Sequence, residues 1–229
     1  GFWNGMRIER LGAEAADDWA DAGMTLAMSP QYGPGPEQAD RMRRILDAAR
    51  ERGIRVILCH DDTHWRRLTE AGEEAYRAAS EDAVRALGDH PAVHGFHVGD
   101  EPGEGQFDDA CRAMRIQKEL APRLSPFLNL LPWFPGVADR VGCERWDEYL
   151  DDYVARARPD VLCYDYYGQM NPLGEGWDAC ADAYFTNLRE YGDAARRAGI
   201  PFWTTLLSVG HFDYRCPRED DFRWQLNTA

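Results

Sequence analysis

The chain has 229 residues, 44% hydrophobic and 29% charged, with 26 Lys and Arg against 40 Asp and Glu and a net charge of −14. That length is enough to bury one sizeable core of the α/β-barrel type, and the acidity disfavours nucleic acid and anionic membrane as partners, because nothing would replace the phosphate counterions. No apolar run approaches the roughly 18 residues that span a bilayer.

Lys118 is the only lysine. Schiff-base chemistry and P-loop phosphate binding both need a placed lysine, and this one lies in the middle of a helical stretch. The six cysteines show no CxxC or other zinc spacing. Cys59 and Cys163 fall inside strand-like runs and read as buried thiols. No cofactor is implied. The cysteine pattern leans towards a reducing, cytoplasmic compartment without deciding against secretion, since Gly1 is also what removal of a leader would leave.

In chain order, short apolar runs alternate with amphipathic helices. The strand candidates are FWNG at 2–5, MTLAMSP at 24–30, IRVILCH at 54–60, AVHGFHVG at 92–99, SPFLNLLPW at 125–133, VLCYDYYG at 161–168 and IPFWTTLLSVG at 200–210. Between them lie helices such as PEQADRMRRILDAARERG, with proline near its first turn and Gly53 at its end. Gly23 and Gly199 close other helices in the same way. Seven βα units without hairpin signals imply parallel strands and helical crossovers. Strand starts recur about every 33 residues, near the roughly 31 of a (β/α)8 barrel. No GxGxxG turn follows the first candidate strand, which removes the usual dinucleotide-binding sheet. The expectation is one TIM-barrel domain over 1–229, incomplete at its C-terminal side, because an eighth strand would be due near residue 233.

Barrel enzymes place their chemistry at the carboxyl ends of the strands. Those ends carry Trp3 and Asn4; Gln31 and Tyr32; His60, Asp61, Asp62, His64 and Trp65; Asp100 and Glu101; Asn129, Trp133 and Phe134; Asp165, Tyr166, Tyr167 and Gln169; Ser208, His211 and Phe212. Acids, amides, imidazoles and aromatic rings around one rim suit a carbohydrate, whose hydroxyls pair with polar groups and whose CH face lies on a ring. In GFHVGDEPG, period-2 alternation puts Gly95, His97, Gly99 and Glu101 on one face and Phe96 and Val98 on the other. Glu101 would project over the mouth beside Asp100, with the raised pKa that a general acid needs. The ordinary alternative is an acid in a solvated turn that caps the next helix.

The acid–proline turn GDEP at the end of the fourth candidate strand resembles the acid/base strand of clan-A glycoside hydrolases, the β-galactosidase-like barrels especially. ADAGMTLA and FRWQLNTA are similar to that group in rhythm. The resemblance implies that Glu101 protonates the glycosidic oxygen. Two departures stand against the pattern: Asp100 occupies the place of the usual Asn, and the seventh candidate strand, FWTTLLSVGHF, carries no glutamate nucleophile. Asp165 is the substitute, as nucleophile or as a base on water, with Asp61 and Asp62 behind it; alternatively the partner acid lies outside the chain. His60, Asp61, Asp100, Asn129, Trp133, Tyr167 and His211 are expected to orient the sugar. Two rival readings are a barrel that binds carbohydrate without cleaving it, and a metal-dependent hydrolase in which His60, Asp62 and His64 ligate a divalent ion. The YGPGPEQ loop at 32–38 and the GQMNPLGEGW loop at 168–177 are expected to shape access to the cleft. The oligomeric state is not legible.

Overall fold

A computed structural model describes residues 3–170, 177–212 and 214–229. In chain order they form α1 Ala15–Asp21, β1 Leu26–Tyr32, α2 Pro36–Glu51, β2 Arg55–His60, α3 Trp65–Ala71, α4 Glu73–Ala83, β3 Val93–Asp100 and α5 Phe107–Leu120. There follow β4 Phe127–Asn129, α6 Val137–Val141, α7 Trp146–Ala157, β5 Leu162–Asp165, α8 Trp177–Ala198, β6 Phe202–Thr205 and α9 Glu219–Thr228. Strands β1, β2, β3 and β4 form one sheet in that order, and β5 pairs with β6. The β1–β2, β2–β3 and β5–β6 pairings are parallel, and Leu130, just past β4, makes a parallel bridge to Tyr164 of β5. No helix among the described residues is long and apolar enough to cross a membrane. The chain separates into two compact units, residues 1–99, 106–128 and 156–159 in the first, and 100–105, 129–155 and 160–229 in the second.

In the first unit, α2 buries Met42, Ile45, Leu46 and Ala49, a stripe at spacings of three and four, in a cluster with Val56 and Leu58 of β2 and Phe96 of β3. Gly53 (φ 70°) stops α2 in the left-handed conformation, two residues before β2, and Gly23 (φ 71°) stands likewise after α1. Pro30 lies inside β1, where it cannot donate to a ladder. The β1–β2 register shifts between Met28 and Gln31, and the Ser29 hydroxyl accepts the Cys59 N–H at 2.9 Å in place of a ladder bond.

The first candidate strand is not one. Residues 1 and 2 lie outside the described segments, and residues 3–6 have no strand pairing; a single bridge joins Arg7 to Gln31. Asn4 explains this. Its buried side chain accepts the Met6 N–H at 3.0 Å and donates to the Met28 carbonyl at 3.3 Å, offering the backbone a local alternative to a ladder.

The glycine face of β3 is crowded, as alternation requires. A Cβ on Gly95 would lie 1.6 Å from the Ser125 carbonyl oxygen, and one on Gly99 would lie 2.1 Å from the Trp65 indole. Backbone cannot yield as a side-chain tip can. Gly95→Ala is therefore expected to destabilise the fold by about 3 kcal/mol or more; an unchanged urea midpoint would rule out this close approach.

In the second unit, α8 turns Ala183, Tyr184, Tyr191, Ala194 and Ala195 inward, and Tyr191 stacks on Tyr164 of β5 at 4.2 Å between ring centroids. Two strands are shorter than their apolar runs because helix side chains take their backbone groups. Past β4, the Leu131 carbonyl accepts the Tyr191 hydroxyl at 2.6 Å. Past β6, the buried Gln225 amide of α9 accepts from Leu207 N–H at 3.0 Å and donates to Leu207 carbonyl at 3.1 Å. An amide that mimics a neighbouring strand ends the ladder there.

Candidate active site

Strand β3 ends on Asp100, and the next residue, Glu101, has a φ of 42°. A left-handed conformation is costly for any residue with a Cβ, and the proline that follows restricts this one further. It is held by a hydrogen bond from the Glu101 N–H to the Asn129 carbonyl at 2.9 Å. Asn129 ends β4 and Asp165 ends β5. The acids thus come from the ends of β3 and β5, with Asn129 of β4 between them, although 64 positions separate Glu101 from Asp165 in the chain.

Asn129 is 2% exposed. Its amide nitrogen donates to Asp100 Oδ1 at 3.0 Å and to Asp165 Oδ1 at 2.6 Å. The half-buried Glu101 carboxyl is pushed up to about 7, first by burial, then by the charges of Asp165 and Asp100, with Arg140 opposing. Burial also raises Asp165, while hydrogen bonds from Asn129 and Tyr167 and the nearby His211 lower it. Burial and the Asp165 charge push the Tyr167 hydroxyl far above its ordinary range, so it stays protonated and has a hydrogen to donate to Asp165. Tyr167 meets His211 edge to face at 5.9 Å and Tyr214 at 5.6 Å. The turn carrying His211 is closed by the Tyr214 N–H on the His211 carbonyl at 2.9 Å.

The structure therefore brings together Asp100, Glu101, Asn129, Asp165, Tyr167 and His211, all in the second unit. Trp133 belongs to the same unit and is half-buried. Its backbone is clamped from both sides by Asn187 of α8, which accepts the Trp133 N–H at 2.6 Å and donates to its carbonyl at 2.8 Å. The sequence reading missed Asn187, yet it carries a signal: a polar residue on the apolar stripe Ala183, Tyr184, Tyr191 of a long helix. Replacing Asn187 by Leu leaves both backbone groups of Trp133 without partners, an expected loss of about 2–4 kcal/mol. A melting temperature within a degree of the wild type would refute this.

His60 and Asp61 lie in the first unit. The buried His60 ring accepts the Asp62 N–H on Nδ1 at 3.1 Å and meets Tyr32 edge to face at 4.8 Å; burial lowers its pKa and keeps it neutral. Asp61 accepts Arg7 on both carboxylate oxygens, at 3.0 and 3.2 Å. His64 Nδ1 accepts the Arg66 N–H at 3.2 Å. These imidazoles cap short helices with the atoms a metal would need, and among the described residues no three His, Cys, Asp or Glu side chains gather to hold a metal ion. Residues 168–170 of the proposed covering loop form a single turn of 3-10 helix; its positions 171–176 lie outside the described residues.

No protein-family model matches the chain, and no curated protein matches it in sequence. Solved structures do match. A protein of Bacteroides thetaiotaomicron provisionally assigned as an α-L-fucosidase superposes with a TM-score of 0.65 at 15% identity, covering 96% of this chain and 76% of its own. An endo-1,4-β-mannanase from Eisenia fetida gives 0.50 at 14% identity, covering 94% and 87%. A β-glucuronidase from Ruminococcus gnavus gives 0.53 at 13% identity over 96% of this chain, which spans only 36% of that enzyme's length. The shared property is fold: the parallel strands and alternating helices of glycoside-hydrolase barrels.

Proposed function

We propose that this chain is a glycoside hydrolase domain that cleaves O-glycosidic bonds with Glu101 as general acid and Asp165 as its carboxylate partner. One observation carries the reading: a carboxyl pushed up to about 7 stands within the field of a second, half-buried carboxylate, and the two flank the strand end that carries Asn129. A glycosidase needs such a division, one acid protonated to donate to the leaving oxygen and one ionised to stabilise or attack the anomeric carbon. Tyr167 orients Asp165 by donating to it, and Asp100 raises the cost of ionising Glu101. Trp133 offers a ring face to the sugar, with His211 as a further polar contact. The fold shared with glycoside hydrolases agrees with this chemistry without specifying a sugar.

Asp165 acts as nucleophile if the carboxyl groups stand about 5–5.5 Å apart, and as base on water at about 6.5–9.5 Å. The test is hydrolysis of a panel of aryl glycosides, with product anomers followed by NMR in the first minutes. Retained configuration assigns Asp165 as nucleophile, and inverted configuration as base. Absence of turnover over the whole panel, in a protein that still binds oligosaccharide, would favour the second reading, a non-catalytic carbohydrate-binding barrel. That reading draws on one feature: Phe202–Thr205, the last strand, is followed by Ser208 and His211 where clan-A enzymes carry a glutamate.

A further inference from the structure

Asn129 touches every acid of the cluster. Its main-chain carbonyl accepts the Glu101 N–H at 2.9 Å, and the two hydrogens of its amide go to Asp100 at 3.0 Å and Asp165 at 2.6 Å. The amide oxygen, by contrast, is buried with no hydrogen-bond partner. Turning the amide over would aim that oxygen at two carboxylates and forfeit both donors. An orientation that leaves an acceptor orphaned in order to keep two donors on carboxylates is selected by those carboxylates being ionised, because an ionised carboxylate only accepts.

We propose that Asn129 is a positioning residue that keeps Asp100 and Asp165 ionised and so leaves the proton of the cluster on Glu101. Its catalytic meaning rests on the glycosidase reading, whereas the distribution of the proton is a property of the protein alone. The groups that face the cluster are Tyr167 and His211, which with Asn129 favour the Asp165 anion, Arg140, which favours the Glu101 anion, and the Cys163 thiol, kept neutral by burial and by the charges of Asp165 and Asp100. Tyr167 supplies a donor to Asp165 alone. Asn129 serves both aspartates and also anchors the backbone of the acid, so the three carboxyl groups share one reference point. Asn129 therefore acts through the carboxylates, not on a sugar, since both of its amide hydrogens are committed.

The decisive experiment is a carbon-13 NMR titration of side-chain carboxyl groups in the full chain, with Glu101 and Asp165 assigned by loss of their signals in E101Q and D165N. In the wild type Asp165 should titrate below Glu101. In Asn129→Leu the Asp165 midpoint should rise by about one pH unit or more, and the order of the two groups should narrow or invert. The isosteric N129D, which keeps the packing but cannot donate to both aspartates once ionised, should move Asp165 in the same direction. A midpoint unchanged within about 0.3 unit in either folded variant overturns the proposal. The titration needs no substrate, so a protein that hydrolyses no glycoside can still confirm or refute it, and loss of the glycosidase reading remains a separate result.

Discussion

Glu101→Gln is expected to lower kcat/KM by about 10²–10⁴-fold towards glycosides with poor leaving groups, and by less than about tenfold towards dinitrophenyl glycosides, whose leaving group needs no proton. The reason is the protonated state of Glu101, which burial and the charges of Asp165 and Asp100 extend to about pH 7. Wild-type activity should accordingly fall as pH rises through about 7, and that alkaline limb should vanish in the variant. The substitution should affect stability in the opposite sense to activity. The carboxyl titrates higher in the folded protein than its ordinary 4.5, so stability declines between about pH 4.5 and 7 and is level above. Glutamine has nearly the same shape and cannot ionise, and at pH 8 E101Q should be more stable than the wild type by about 1–3 kcal/mol. An inactive variant that melts higher separates chemistry from folding. Equal loss on good and poor leaving groups would dismiss Glu101 as the acid.

Asp165→Asn should reduce kcat by about 10³-fold or more on all leaving groups, because nucleophile or base is needed whatever departs. Removing its charge also removes the second cause of the raised Glu101 pKa, so Glu101 should titrate lower in D165N, by up to about one pH unit. The two effects should be coupled: the double variant should lose far less than the product of the single losses. A D165N protein that keeps more than a tenth of wild-type kcat would remove Asp165 from the mechanism and return attention to the other rim acids.

Read as a string, the chain already specified parallel strands alternating with helices. Apolar runs at regular spacing, helices opened by proline and closed by Gly23, Gly53 and Gly199, and the absence of hairpin turns are all local signals. Six of the seven candidate runs hold the strands of the described residues, and the parallel pairing they imply is displayed between β1, β2 and β3 and between β5 and β6. The GDEP turn was likewise legible, since alternation and an acid before proline are read from adjacent residues. Three things lay beyond local reading. Asn4 turns an apolar-looking segment away from strand pairing, because its side chain competes for backbone groups. Gln225 and Asn187 cut β6 short and fix Trp133 from helices far away in sequence. The carboxylate cluster itself exists only where β3, β4 and β5 end together. A pKa depends on burial and on charges within a few ångströms, and those distances are set by the tertiary structure alone. The sequence by itself thus determined the alternation of strands and helices and nominated Glu101 and Asp165; the tertiary structure decided that their carboxyl groups share one cluster and that one asparagine holds both aspartates.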